Sequence, residues 1–288
     1  MSNQAKTLRI TGVPEHFNYP LRLLERTQPL INSGIKLEWK EESRGSGQLL
    51  QDLRTGATDL ALLLTESFLK DCSTGGQNKI LGYHVLSPLI WGIHESPSPT
   101  DASTKTSIKT FFISRLGSGS HLMAQVLAIR EGWPVDSLNF QIVGNLDGAL
   151  AAYAQGEEGY FLWEKYTTSP VVEQGMLIRT GELPSPWPCF VWVASPQAIQ
   201  TWGNILFEVR DTVYDISDKL VKKPDLVEQI AREYHLSPIL VSEWLAQTTW
   251  CTEDILTLGS LKEVSEKVRK FGIIEEAIHP EEVLLRKK

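Results

Sequence analysis

Two Gly/Ser turns stand directly before helical patterns and offer the clearest chemistry in this chain. In Ser114-Arg-Leu-Gly-Ser-Gly-Ser120 the glycines let the backbone come close to a bound molecule. The helix that follows contributes unpaired N–H groups and a positive dipole end, a combination suited to a carboxylate, sulfonate or phosphate. Gly117, Ser118, Gly119 and Ser120 are therefore candidate ligand contacts, with an ordinary serine cap as the plainer alternative. In Ser43-Arg-Gly-Ser-Gly47, Arg44 has the fork geometry for a bidentate anion clamp, or is simply a solvated charge. Thr65-Glu66 and Trp163-Glu164 each end a short apolar strand pattern. Ligands of open α/β sheets sit at the carboxyl ends of strands. Either glutamate can accept from a ligand amine or ring N–H, the alternative being a cap or salt bridge. Trp163 and Trp187 can stack on a ring or serve as core. His16 lies in the first loop, placed to bind a ligand or move a proton, or else to sit at the surface.

Other chemistries lack their residues. No GxxxxGK[ST] is present, the Gly117–Ser120 turn lacks the third glycine of a dinucleotide fingerprint, and no GxSxG elbow occurs. The six histidines show no metal spacing, and Cys72, Cys189 and Cys251 are odd in number and far apart. No metal, cofactor or disulfide framework is expected. A net charge of -7 without a basic run argues against nucleic acid. The longest apolar stretches, such as Leu60–Leu64, are too short to span a bilayer. The first ten residues carry no apolar leader, so the expectation is a cytoplasmic protein, or a periplasmic one whose signal peptide has been removed.

These residues need elements to position them. Leu8–Ile10 reads as a strand, a helix begins near Pro20 with Leu21, Leu24 and Leu30 inward, and Ile35, Leu37 and Trp39 alternate as a strand. A helix with Leu49, Leu50 and Leu53 stops at Gly56, and Asp59–Leu64 reads as a strand buried on both faces. After a Pro/Ser-rich loop at 96–106, a second unit follows: strand 110–113, helix 121–131 with Leu122, Val126 and Ile129 inward, strand 140–143, helix 146–155 and strand 160–163. Pro184–Pro188 is rigid and extended, Cys189–Ala194 is a strand, and the remainder is helical. The pattern is α/β, with two doubly wound lobes and a helical C-terminal portion packed on the first.

The set Ser43–Gly47, Thr65-Glu66, Ser87-Pro88, Ser114–Ser120, Trp163-Glu164 with Thr167-Thr168, and Trp187-Pro188 resembles the type II periplasmic-binding-protein superfamily. The branch is that of sulfonate, nitrate and thiamine-pyrimidine-precursor binders. The resemblance implies two lobes, residues 1–95 with 187–288 and residues 96–186, joined by crossover strands near Leu89–Glu95 and Trp187–Val193. It implies binding positions at His16, Asn18, Thr65, Glu66, Gly117–Ser120, Trp163 and Glu164. The chain departs from transport-linked members in lacking a leader, which sets an ABC permease partner in doubt. It also lacks the cysteine-rich motif of the fungal pyrimidine synthases.

The function so read is a solute-binding protein that closes two lobes on a small anionic or heterocyclic molecule, its partner being that molecule rather than nucleic acid or membrane. One alternative is a cytoplasmic enzyme on the same scaffold, similar to menaquinone-pathway lyases, with Glu66, Glu164 or His16 as general acid or base. A regulatory effector-sensing domain is another, although no helix-turn-helix stands at the N-terminus. The sequence expectation is that Glu66, Ser118, Ser120 and Trp163 line one cleft.

Overall fold

The computed structural model describes residues 5–97 and 109–287. The stretch expected as a loop at 96–106 lies outside the described residues from 98 onward. In chain order the first elements are β1 (Lys6–Gly12), α1 (Tyr19–Thr27), β2 (Ile35–Glu41), α2 (Ser46–Thr55), β3 (Leu60–Leu64), α3 (Thr65–Ser73) and β4 (Lys79–Val85). Next come β5 (Ile90–Glu95), β6 (Thr110–Ile113), α4 (Gly119–Glu131), β7 (Asn139–Ile142), α5 (Leu146–Ala154), β8 (Tyr160–Glu164), α6 (Lys165–Glu173) and β9 (Ile178–Pro184). The chain ends with β10 (Phe190–Ala194), α7 (Pro196–Trp202), α8 (Ile205–Leu220), α9 (Leu226–Tyr234), α10 (Pro238–Gln247), α11 (Leu258–Lys270) and α12 (Pro280–Val283).

Two five-stranded mixed sheets result, ordered β2-β1-β3-β10-β4 and β7-β6-β8-β5-β9. In the first, β1, β2 and β3 are parallel and β10 runs antiparallel between β3 and β4. The second repeats the scheme, with β6, β7 and β8 parallel and β5 antiparallel between β8 and β9. Every residue of β3 is buried, as a strand covered by helices on both faces requires. Pro20 stands in the first turn of α1, where its missing N–H costs nothing, and Leu21, Leu24 and Leu30 reach the core. The left-handed Gly56 and Gly132 close α2 and α4.

Several elements differ from the sequence reading. The region 90–95, expected as a crossover strand, pairs throughout with β8 and β9, so the second sheet begins at Ile90. The chain instead crosses at 86–89 and 185–189. These two segments bond to each other: Ser185 N–H donates to the Leu89 carbonyl at 2.9 Å and Leu89 N–H to Ser185 Oγ at 3.0 Å. Thr65 and Glu66 begin a helix rather than ending a strand, because the chain turns into α3 directly after Leu64. Ile129 is exposed, since the buried face of α4 runs through Leu122, Met123, Val126 and Leu127. The strands β4 and β9 and the helices α3 and α6 had no distinct periodic signal. The C-terminal helices pack mainly on the first sheet. There Tyr214 Oη donates to the Tyr83 carbonyl at 2.6 Å, and Trp250 Nε1 donates to the Phe17 carbonyl at 2.8 Å. Helix α10 also reaches the second sheet's helices, where Gln247 Nε2 donates to Tyr166 Oη at 3.0 Å.

Candidate functional site

The carboxyl ends of the parallel strands in both sheets open onto one cavity of about 210 Å3. This is the position where α/β sheets hold ligands. The segment after β1 supplies Val13, Pro14 and Glu15, the turn after β2 supplies Ser43–Ser46, and β3 supplies Leu64. From the second sheet come Ser114 and Ser118–Ser120 after β6, Asn145–Asp147 after β7, and Trp163, Glu164 and Thr167 around the end of β8. Leu89, Trp91 and Phe190 complete the wall where the chain crosses. The volume is below the roughly 300–1,000 Å3 of drug-sized pockets, in keeping with a small solute.

Helix α4 aims its N-terminus at the cavity. Ser118 caps it, accepting from His121 N–H at 3.4 Å, and its Oγ lies 3.0 Å from Ser120 Oγ. Ser120 Oγ in turn accepts from Ser114 N–H at 3.0 Å. The hydroxyls are thereby held by backbone geometry rather than left to rotate. Gly119 is required by close approach. A Cβ there would overlap Leu64 Cδ1 and stand 3.1 Å from Trp91 Cη2, so the glycine lets α4 meet the end of β3. Gly117 shapes the turn with φ of 78° and donates its N–H to His121 Nδ1 at 3.0 Å, without lining the cavity. Helix α5 also begins at the cavity, where Asn145 Oδ1 accepts from Gly148 N–H at 3.1 Å.

Arg44 lines the cavity but is already engaged, donating to Glu42 through Nε at 2.8 Å and Nη2 at 2.7 Å. That ion pair lowers the Glu42 carboxyl, the Arg44 hydrogen bond outweighing burial. Arg115 spans the two sheets, donating from Nη2 to the Gly45 carbonyl at 3.2 Å.

Two carboxyls meet in the cavity. Glu164 is 2% exposed; its Oε2 accepts from Thr167 N–H at 2.6 Å and Thr167 Oγ1 at 2.8 Å. Its Oε1 is buried without a partner, as is Oε2 of Glu15 across the cleft. Burial raises both carboxyls. For Glu15 the neighbouring Glu164 raises it further, whereas the Thr167 hydrogen bonds pull Glu164 partly back. Sequence reasoning singled out Glu164 and missed Glu15. One glutamate in a loop carries no signal until folding sets it opposite another.

The remaining candidates lie behind the cavity wall. His16 is buried among Phe17, Trp244, Tyr166 and Tyr234, and burial lowers its pKa to about 3. Asn18 is fully buried and donates from Nδ2 to the Val13 carbonyl at 2.8 Å, shaping the loop that carries Glu15. Thr65 Oγ1 donates to the Pro188 carbonyl, tying α3 to the second crossing. Glu66 and Trp187 engage each other: Trp187 Nε1 donates to Glu66 Oε2 at 2.7 Å, and neither lines the cavity. Of the four residues expected to share one cleft, Ser118, Ser120 and Trp163 do so and Glu66 stands apart, its side chain drawn to the Trp187 indole. Among the described residues no group of three or more His, Cys, Asp or Glu is arranged to hold a metal, and no helix is long and apolar enough to cross a membrane.

Comparison with known proteins agrees with this geometry. Residues 91–183 match the model of the Ca3427-like PBP family. The Candida albicans CA3427 gene product, which defines a family with the generic periplasmic binding protein fold, superposes with a TM-score of 0.87 at 23% identity, covering 98% of this chain and 97% of that one. The alkanesulfonate-binding protein SsuA of Xanthomonas axonopodis pv. citri, bound to MOPS, gives 0.75 at 16% identity over 97% and 98% of the two chains. The aliphatic sulphonate binding protein SsuA of Escherichia coli gives 0.68 at 15% identity over 98% and 92%. No curated protein matches the sequence. The chain has the type II periplasmic-binding-protein fold.

Proposed function

We propose that this protein binds a small solute between two lobes, one built on each sheet, and closes on it by bending at the paired crossings 86–89 and 185–189. The observation that carries the reading is the cavity walled by strand ends of both sheets and lined by the start of α4 with Ser118 and Ser120. An acceptor group of the solute sits on that helix start, where N–H groups and dipole favour it. A ring stacks against Trp163. The partner of the protein is the solute itself. Support comes from the SsuA neighbour of the same fold, which was found with MOPS bound.

Native mass spectrometry of the purified full chain, with identification of whatever denaturation releases, tests this. The expected result is one small molecule per chain, released unchanged and lost or weakened in Ser118→Ala. A compound that the protein converts would replace binding by catalysis. A chain that retains no solute and takes none up from a cell extract would defeat the reading.

A further inference from the structure

Within the solute-binding reading, on which this inference rests, the charges of the cavity are lopsided. Its charged lining residues are Glu15, Glu164, Asp147 and Arg44, and Arg44 is held by Glu42 on both arms of its guanidinium. Two further guanidiniums are fastened to neutral acceptors and do not line the cavity: Arg115 donates to the Gly45 carbonyl, and Arg179 donates to the Lys165 carbonyl at 2.7 Å and Ser169 Oγ at 2.9 Å, while its charge lowers Glu164 from outside the wall. Lys165 pairs with Glu182 at 2.7 Å. Among the described residues, no basic side chain lines the cavity besides Arg44, which is paired with Glu42.

We propose that Glu15 and Glu164 form a receptor for a nitrogen-borne positive charge, so that the solute is a small cation or zwitterion carrying an ammonium, amidinium or protonated ring nitrogen. Each carboxylate keeps one buried oxygen without a partner, Glu15 Oε2 and Glu164 Oε1, and both residues line the cavity from opposite sheets. A buried polar atom left unpaired costs free energy that a matching donor recovers. The other Glu164 oxygen is fixed by Thr167 N–H and Oγ1, so the free one cannot swing away. Burial and the facing carboxylate raise Glu15, which is the electrostatic signature of a missing countercharge. A cation between the two would let both ionise and draw the sheets together, whereas without one their burial and mutual repulsion favour the protonated form of Glu15. Trp91, Trp163 and Phe190 line the same wall, and aromatic rings attract a cation set over them. The opposite end of a zwitterion falls to the α4 N-terminus.

The test uses benzylamine, 4-(aminomethyl)benzoate and 4-methylbenzoate, which share one ring and differ in their charged ends. Binding to the full chain is measured by calorimetry at neutral pH. Both amines should bind, and each should weaken by about tenfold or more in Glu164→Gln and in Glu15→Gln, the scale of a lost charge-assisted hydrogen bond. The 4-methylbenzoate should not weaken in either variant. Glutamine keeps an acceptor for Thr167, and the far-UV circular dichroism of both variants should match the parent. Amines that bind the parent and both variants equally, or that do not bind the parent at all, overturn the carboxylate receptor. Neither result touches the solute-binding reading, which stands or falls on the molecule retained in native mass spectrometry.

Discussion

Glu66→Gln is expected to change how stability depends on pH. Glu66 is fully buried, one oxygen accepts from Trp187 Nε1 at 2.7 Å, and the other has no partner. Burial raises its pKa from 4.5 to about 7, against the smaller lowering from its own backbone N–H and the Trp187 indole. The unfolded chain therefore loses this proton near 4.5 and the folded chain near 7. Between those values the folded state binds more protons, so stability falls as pH rises across the window and levels off above it. The full span corresponds to about 3 kcal/mol, of which about 2 kcal/mol falls between pH ~5.5 and ~7.5. Against a typical total of roughly 5–15 kcal/mol that is readily measured. Burial lowers His16 to about 3 and His84 and His94 to about 4. These act with the opposite sign, losing stability as pH falls below 6.5. The comparison must therefore be parent against variant, in which the histidines cancel. Glutamine mimics the protonated acid and can still accept from Trp187. Denaturant unfolding at several pH values should show the variant gaining about 2 kcal/mol on the parent between pH ~5.5 and ~7.5. Parallel profiles for the two proteins would refute the buried, proton-binding assignment of Glu66.

Two further outcomes follow from the contacts between the sheets. Gly119→Ala sets a methyl against Leu64 of the first sheet and Trp91 of the second, and should cost about 1–3 kcal/mol, read as a lower melting temperature. An unchanged melting temperature would mean that α4 can retreat freely from β3. Arg115→Ala removes the bond to the Gly45 carbonyl that spans the cleft, so the solute-free protein should open and its radius of gyration by small-angle X-ray scattering should rise. A radius equal to that of the parent would assign closure to other contacts.

Much of the architecture was legible along the chain because several strands carry apolar runs or apolar alternation and several helices begin or end on Pro, Ser and Gly. Leu60–Leu64, Pro20, Gly56 and Gly132 announce a strand, a helix start and two helix ends through local sterics and hydrogen bonding alone. The places of Ser118, Gly119, Ser120, Arg44, Trp163 and Glu164, all of which line the cavity, were readable for the same reason, since turns before helices and the ends of apolar strands are local patterns. Strands β4 and β9 were not legible. The Lys79–Val85 segment gains its strand from pairing with β10, more than a hundred residues away, and Ile178–Pro184 from pairing with β5.

The amino-acid sequence by itself determined which segments turn, cap and bury, because those are contests between neighbouring residues. Only the tertiary structure decided which side chains share a space. It turned Glu66 toward Trp187 and His16 into an aromatic cluster, and it brought Glu15 and Glu164 from opposite sheets to one cavity. The physical reason is that burial and charge pairing act through space. A carboxylate's pKa and partners depend on what long-range strand pairing places beside it, and no local pattern encodes that neighbour.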